Sequence, residues 1–131
     1  MENIIKLSKN LQLLYVEDNA DAMKSTMLML NEFFDNIITA IDGEDGFNKF
    51  KNNNIDIIIT DINMPKIDGL EMTKLIREID KDVPILILSA HTDSDFILEG
   101  IKLGVSDYIL KPLDLSGFIK TLSRVMHHKN D

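Results

Sequence analysis

Five residues of this chain with chemistry to offer follow apolar runs. Glu17-Asp18 follow residues 11–16, Asp61 follows 55–60 and Lys111 follows 107–110, while Ser89 follows a further run at 84–88. If those runs are neighbouring strands, these side chains meet at one end of a sheet. Three carboxylates brought within about 5 Å repel, at roughly 3 kcal/mol per ionised pair for an effective dielectric near 20. A hard divalent cation with oxygen ligands relieves that repulsion, which implies Mg²⁺. Lys111 adds a second positive charge suited to a phosphate, and Ser89 adds a hydroxyl donor. A cation, a lysine and a hydroxyl around one carboxylate clamp the charge that develops during phosphoryl transfer. The carboxylate can itself be the nucleophile, forming an aspartyl phosphate. Asp61 is the best placed, because it follows a run that reads as a fully buried strand and opens the loop Asp61-Ile62-Asn63-Met64-Pro65-Lys66-Ile67-Asp68-Gly69.

Each of these residues also has a plain structural reading. Asp61 is a candidate turn former, and Glu17-Asp18 are candidate first-turn acids of a helix. Lys111 and Ser89 are candidate surface and turn residues, and Tyr108 is a candidate packing residue of a strand. Only their joint placement favours chemistry.

The elements that must position them are legible as an alternation. Apolar runs lie at 11–16, 36–41, 55–60, 84–88 and 107–110; the second is weaker, and the third and fourth are nearly all apolar, as strands buried on both faces are. Between and after them lie helical patterns. Residues 20–34 carry Met23, Met27, Leu30 and Phe34 on one face. Residues 44–51 carry Phe47 and Phe50, and 70–79 carry Met72, Leu75, Ile76 and Ile79. Residues 94–103 contain Gly100, and 115–126 carry Leu115, Phe118, Ile119, Leu122, Val125 and Met126. Strand and helix in strict alternation predict an α/β fold, a (βα)₅ parallel sheet with right-handed crossovers. Ligands of such sheets bind beyond the carboxyl ends of the strands. Asp68 is expected to cap the helix that follows it.

Composition narrows the class. A chain of 131 residues favours one domain with a real core, and the absence of cysteine excludes disulfides and thiolate metal sites. A net charge of −8 and a pI near 4.8, with no basic block, argue against nucleic-acid binding. No apolar run reaches membrane-spanning length and residues 1–10 lack a signal-peptide core, so neither a membrane partner nor export is expected, and the expected location is cytoplasmic. The expected division is an N-terminal extension at 1–10, a domain at 11–127 and a tail at 128–131. The few polar residues after Met126 suggest no output domain here; a stand-alone protein and a part of a longer one fit equally. His127-His128 read as exposed tail residues.

The segment 61–69 resembles the D-x-x-M-P-x-x-D-G signature of response-regulator receiver domains. The acidic pair Glu17-Asp18, the Ser89-Ala90 step and the Lys111-Pro112 step match that family in order and spacing, and the likeness covers residues 11–126. The resemblance implies a flavodoxin-like doubly wound sandwich with strand order 2-1-3-4-5, the order for which the chemotaxis member of the family is a standard example. It implies Asp61 as phospho-acceptor. Mg²⁺ would be held by Asp61, by Asp18 directly, by Glu17 through water and by the backbone carbonyl of Asn63. Lys111, through a cis peptide to Pro112, and Ser89 would hold the phosphate, and Tyr108 would be an aromatic switch that turns inward as Ser89 moves. Side chains at Asn63 and His91 would tune phosphoryl lifetime.

The implied partners are a sensor histidine kinase or phosphotransfer protein as donor, with small phosphoryl donors as substitutes. An output protein or a second copy would dock on the face formed by the fourth helix, fifth strand and fifth helix. No catalysis beyond self-phosphorylation and self-dephosphorylation is expected. Gly46 and Gly100 stand where helical alanine is common, Gly100 being expected to loosen its helix, and Leu113 stands where Phe is frequent. Two rivals remain open. A phosphatase of the haloacid-dehalogenase type wants D-x-D, whereas position 63 is Asn63. A receiver-like scaffold that no longer takes phosphate would retain the fold but not the full acidic set.

Overall fold

The computed structural model describes residues 2–89 and 94–130. Along the chain these form α1 (Glu2–Ser8), β1 (Gln12–Val16), α2 (Ala20–Leu30), β2 (Asn36–Ala40), α3 (Gly43–Asn52), β3 (Ile57–Asp61), α4 (Gly69–Ile79), β4 (Ile85–Ser89), α5 (Ser94–Leu103), β5 (Asp107–Leu110) and α6 (Leu115–Asn130). The five strands make one sheet in order β2-β1-β3-β4-β5, with every pairing parallel. The strand order expected from the resemblance is the one observed, and the fold is the flavodoxin-like three-layer sandwich.

Alternation of side chains along the strands divides the core into two layers. Leu13, Tyr15, Ile57, Ile59, Leu86, Leu88 and Ile109 pack with Leu30 of α2 and with Phe118, Leu122, Val125 and Met126 of α6. Leu14, Val16, Ile58, Ile85 and Ile87 face the opposite way, toward Phe50 of α3 and Met72 and Ile76 of α4. Both faces are covered, which is why the strand runs are almost uniformly apolar.

Several helix limits depart from the periodicity. α2 ends at Leu30, with Asn31 as its C-cap, so Phe34 is not on that helix. Phe33 and Phe34 lie in the turn that follows and are still buried; Phe33 meets Phe118 edge-on at 5.0 Å. Ile79 and Leu115, read as members of apolar faces, are 59% and 41% exposed. Residues 2–8, in which no helix was expected, form α1. Its Ile4 is buried among the α2–α6 layer, and Ser8 donates a 2.6 Å hydrogen bond to the carbonyl of Phe33. A seven-residue helix has no stability of its own, so docking supplies it. α6 also runs beyond residue 127, through Asn130.

Candidate functional site

The sheet register sets the geometry. Val16 pairs with Thr60, so one further step along the two strands brings Glu17 beside Asp61, the last residue of β3. Asp61 pairs with Leu88 on the other side, next to Ser89 at the end of β4. Ser89 pairs with Leu110, and the carbonyl of Ser89 accepts a hydrogen bond from Lys111 N at 2.9 Å. Four separate segments therefore end at one place because four parallel strands end together.

Glu17, Asp18 and Asp61 each present a carboxylate oxygen within 4.8 Å of the others. Glu17 is 3% exposed, Asp61 is partly buried and Asp18 is exposed. Lys111 Nζ donates to Asp61 Oδ2 at 2.7 Å, while Asp61 Oδ1 accepts from the N–H of Ile62 at 2.8 Å. The Lys111–Pro112 peptide is cis. Ser89 is buried. Asn63 is exposed in the loop two residues beyond Asp61. His91 lies outside the described residues.

Local sequence explains how these groups are held. Asn19 caps α2 by accepting from Ala22 N, and its own N–H donates to Glu17 Oε2 at 3.2 Å. Asp68 caps α4, as expected, through Glu71 N at 2.8 Å. Gly69 then lets α4 begin directly under the strand end. Its N–H donates to Ile62 O at 2.8 Å, and a Cβ at this position would collide with the carbonyl of Asp61. Lys66, with φ at 67°, takes the left-handed conformation within the same loop.

The charge balance is unfavourable without a cation. Burial pushes the Glu17 carboxyl up to about 7, and the neighbouring charge of Asp61 pushes in the same direction; the Asn19 N–H and Lys111 oppose it. One lysine against three clustered carboxylates leaves net negative charge in a partly desolvated site. The donors are all hard oxygens, exposed on the Asp18 side, and they fit a small divalent cation such as Mg²⁺.

Tyr108 does not reach this cluster. It is partly buried, and its hydroxyl donates to the carbonyls of Phe96 (3.1 Å) and Ile97 (2.9 Å) in α5. Three contributors to the neighbourhood were not read from the sequence: Asn19, the Ile62 N–H and Tyr15. The signal for Tyr15 was a hydroxyl within the otherwise apolar stretch 13–16, two residues before Glu17. An open groove of about 720 Å³ lies at the opposite end of β4 and β5. Its Arg77 and Arg124 are engaged with carbonyls and with Asp107, respectively.

The profile of the response regulator receiver domain matches residues 13–123. Response regulator ArlR of Staphylococcus aureus is 32% identical over 118 residues, which are 90% of this chain and 53% of that protein. The chain spans about half the length of the curated relatives it matches. Among solved structures, chemotaxis response regulator CheY4 of Vibrio cholerae superposes with a TM-score of 0.77 at 30% identity, covering 88% of this chain and 98% of that one. The receiver domain of sensor histidine kinase PA1611 of Pseudomonas aeruginosa, which has a magnesium ion coordinated in its active-site cleft, gives 0.80 at 25% identity, over 90% and 98%.

Proposed function

Since the chain belongs to the response regulator receiver domain family of two-component signalling, we propose that it is switched by phosphorylation of Asp61 with Mg²⁺ held beside it. The observation that carries the proposal is the Lys111–Asp61 contact of 2.7 Å inside a trio of carboxylates whose oxygens lie within 4.8 Å.

In this reading Glu17, Asp18, Asp61 and the backbone carbonyl of Asn63 hold the cation, Glu17 through water. Bound Mg²⁺ supplies charge neutralisation for the phosphoryl oxygens. A side-chain oxygen of Asp61 attacks the phosphorus of a phosphohistidine on a sensor kinase or phosphotransfer protein. The P–N bond breaks, the imidazole nitrogen leaves with the bonding electrons and takes up a proton, and an acyl phosphate remains on Asp61. Lys111, already on Asp61 Oδ2, moves onto the phosphoryl oxygens, and the Ser89 hydroxyl donates to one of them. Attack by water on that phosphorus returns Asp61 and releases phosphate. The Asn63 and His91 side chains tune how fast that happens.

The new charge biases the arrangement of α5, β5 and α6, with Tyr108 as the aromatic member of the switch. That face exposes Leu98 (63%), Ile101 (62%), Leu110 (56%) and Leu115 (41%), apolar surface suited to an output protein or a second copy. The acidic chain does not take nucleic acid through this domain. No helix among the described residues is long and apolar enough to cross a membrane, and the proposed setting is the cytoplasm.

The test is acetyl phosphate with Mg²⁺, followed by intact mass. Wild-type protein gains one phosphoryl group and Asp61→Asn gains none. Absence of label on wild type, or equal label on Asp61→Asn, refutes the assignment.

A further inference from the structure

We infer that Tyr15 is a positioning residue of the cation site: its buried hydroxyl is the hydrogen-bond donor that steadies the Glu17 carboxylate when a divalent cation is bound. The inference rests on the metal reading above and adds a residue to it.

Tyr15 is fully buried in β1, and among the described residues no group meets its Oη in good hydrogen-bond geometry, while the Thr26 and Glu17 side chains stand near enough to act on it as weak partners. A phenol hydroxyl left unsatisfied in a core costs on the order of 1–3 kcal/mol, and phenylalanine would fill the same space without that cost. The ring packs with Leu13, Ile57, Ile59 and Phe118, so packing accounts for the ring and not for the oxygen. The surroundings of the oxygen are polar. Burial acts most strongly on the hydroxyl, Thr26 of α2 and Glu17 act on it through weak hydrogen bonding, and the charges of Glu17 and Asp61 act through space.

Strand alternation explains the placement. Tyr15 and Glu17 are two residues apart and share one side of the chain, and Asp61 stands beside them through the β1–β3 register. Glu17 is itself loosely held: the N–H of Asn19 donates to it at 3.2 Å, the long end of the hydrogen-bond range. A buried carboxylate with one long hydrogen bond and an adjacent phenol without a well-formed one are complementary. Bringing them together satisfies both, and a cation that orders Glu17 makes the meeting worthwhile. Supporting shells of this kind hold metal ligands in productive orientation.

The chain lacks tryptophan and has two tyrosines, so in Tyr108→Phe the remaining tyrosine signal belongs to Tyr15. A phenol that begins to donate to a carboxylate absorbs at longer wavelength and loses emission. Titration of Tyr108→Phe with Mg²⁺ is expected to show both changes, saturating with the metal. In parallel, calorimetric Mg²⁺ titration of Tyr15→Phe is expected to show affinity lowered about tenfold with the fold retained, and no further loss when Tyr15→Phe is added to Glu17→Gln. Three results overturn the inference: Mg²⁺ binding that leaves the Tyr15 spectrum unchanged, unaltered affinity in Tyr15→Phe, or an equal loss in the Glu17→Gln background. Failure of wild-type protein to bind Mg²⁺ at all overturns the metal reading and this inference with it.

Discussion

The hydroxyl of Tyr108 occupies the space that any side chain at position 100 would need. Gly100 is buried in α5, and a Cβ built there collides with Tyr108 Oη and comes within 3.0 Å of the ring carbon that bears it. The hydroxyl in turn donates to Phe96 and Ile97 of the same helix. Gly100 is therefore a notch cut for a strand residue, and β5 is tied to α5 through it.

Gly100→Ala is the direct check. On helix propensity alone the change stabilises by about 1 kcal/mol. The collision reverses the sign, and a net loss of about 1–3 kcal/mol in urea denaturation is expected. Adding Tyr108→Phe removes the colliding oxygen and recovers part of that loss. Additive effects of the two changes would sever the link between these residues.

Lys111 is expected to matter more for chemistry than for stability. It is 38% exposed, so solvent screens its pair with Asp61, and Lys111→Met changes folding stability by under about 1 kcal/mol. Phosphoryl uptake from acetyl phosphate falls at least about tenfold, because a charge-assisted contact to the transferring group is lost. A variant labelled at the wild-type rate would remove Lys111 from the site.

Glu17 makes stability depend on pH in an unusual direction for an acid. Its carboxyl is raised from 4.5 to about 7, so the folded chain keeps a proton there that the unfolded chain has already released. Between those values the folded state binds more protons, and stability falls as pH rises. The penalty is absent below the unfolded value and complete above about 7. Urea midpoints measured without Mg²⁺ at about pH 5 and about pH 8 should differ less in Glu17→Gln than in wild type. An identical pH slope in both proteins would contradict the burial of this carboxyl.

α1 contributes to the core although it precedes the first strand. Ile4 is 6% exposed and packs with Phe33, Phe118 and Met126. Ile4→Ala is expected to cost about 2 kcal/mol, the low end for such truncations because the helix sits at the margin of the core and can adjust. Ser8→Ala adds about 1 kcal/mol by leaving the Phe33 carbonyl without its side-chain donor. Unchanged denaturation midpoints in both variants would mean that α1 does not dock.

Much of this protein was legible before folding was considered. The five apolar runs carry their strand identity in composition, because a parallel sheet covered on both faces demands apolar residues throughout. The acidic pair, Asp61, Ser89 and Lys111 stand out because each follows such a run, and parallel strands collect their ends on one edge. The helical patterns also located all five helices that follow strands to within a residue at their amino ends. It misplaced the stripe edges at Ile79 and Leu115, since a period states which side is apolar and not how wide the neighbouring layer is.

What the tertiary structure alone decided is contact between residues distant in sequence. α1 is too short to declare itself and exists through its docking on Phe33 and α6. Gly100 looks like a helix weakness until Tyr108 is placed beside it, and Tyr15 looks like packing until its buried oxygen is found without a well-formed hydrogen bond. Local propensity is a property of neighbours along the chain, whereas a collision, an orphaned hydroxyl or a 2.7 Å ion pair is a property of neighbours in space.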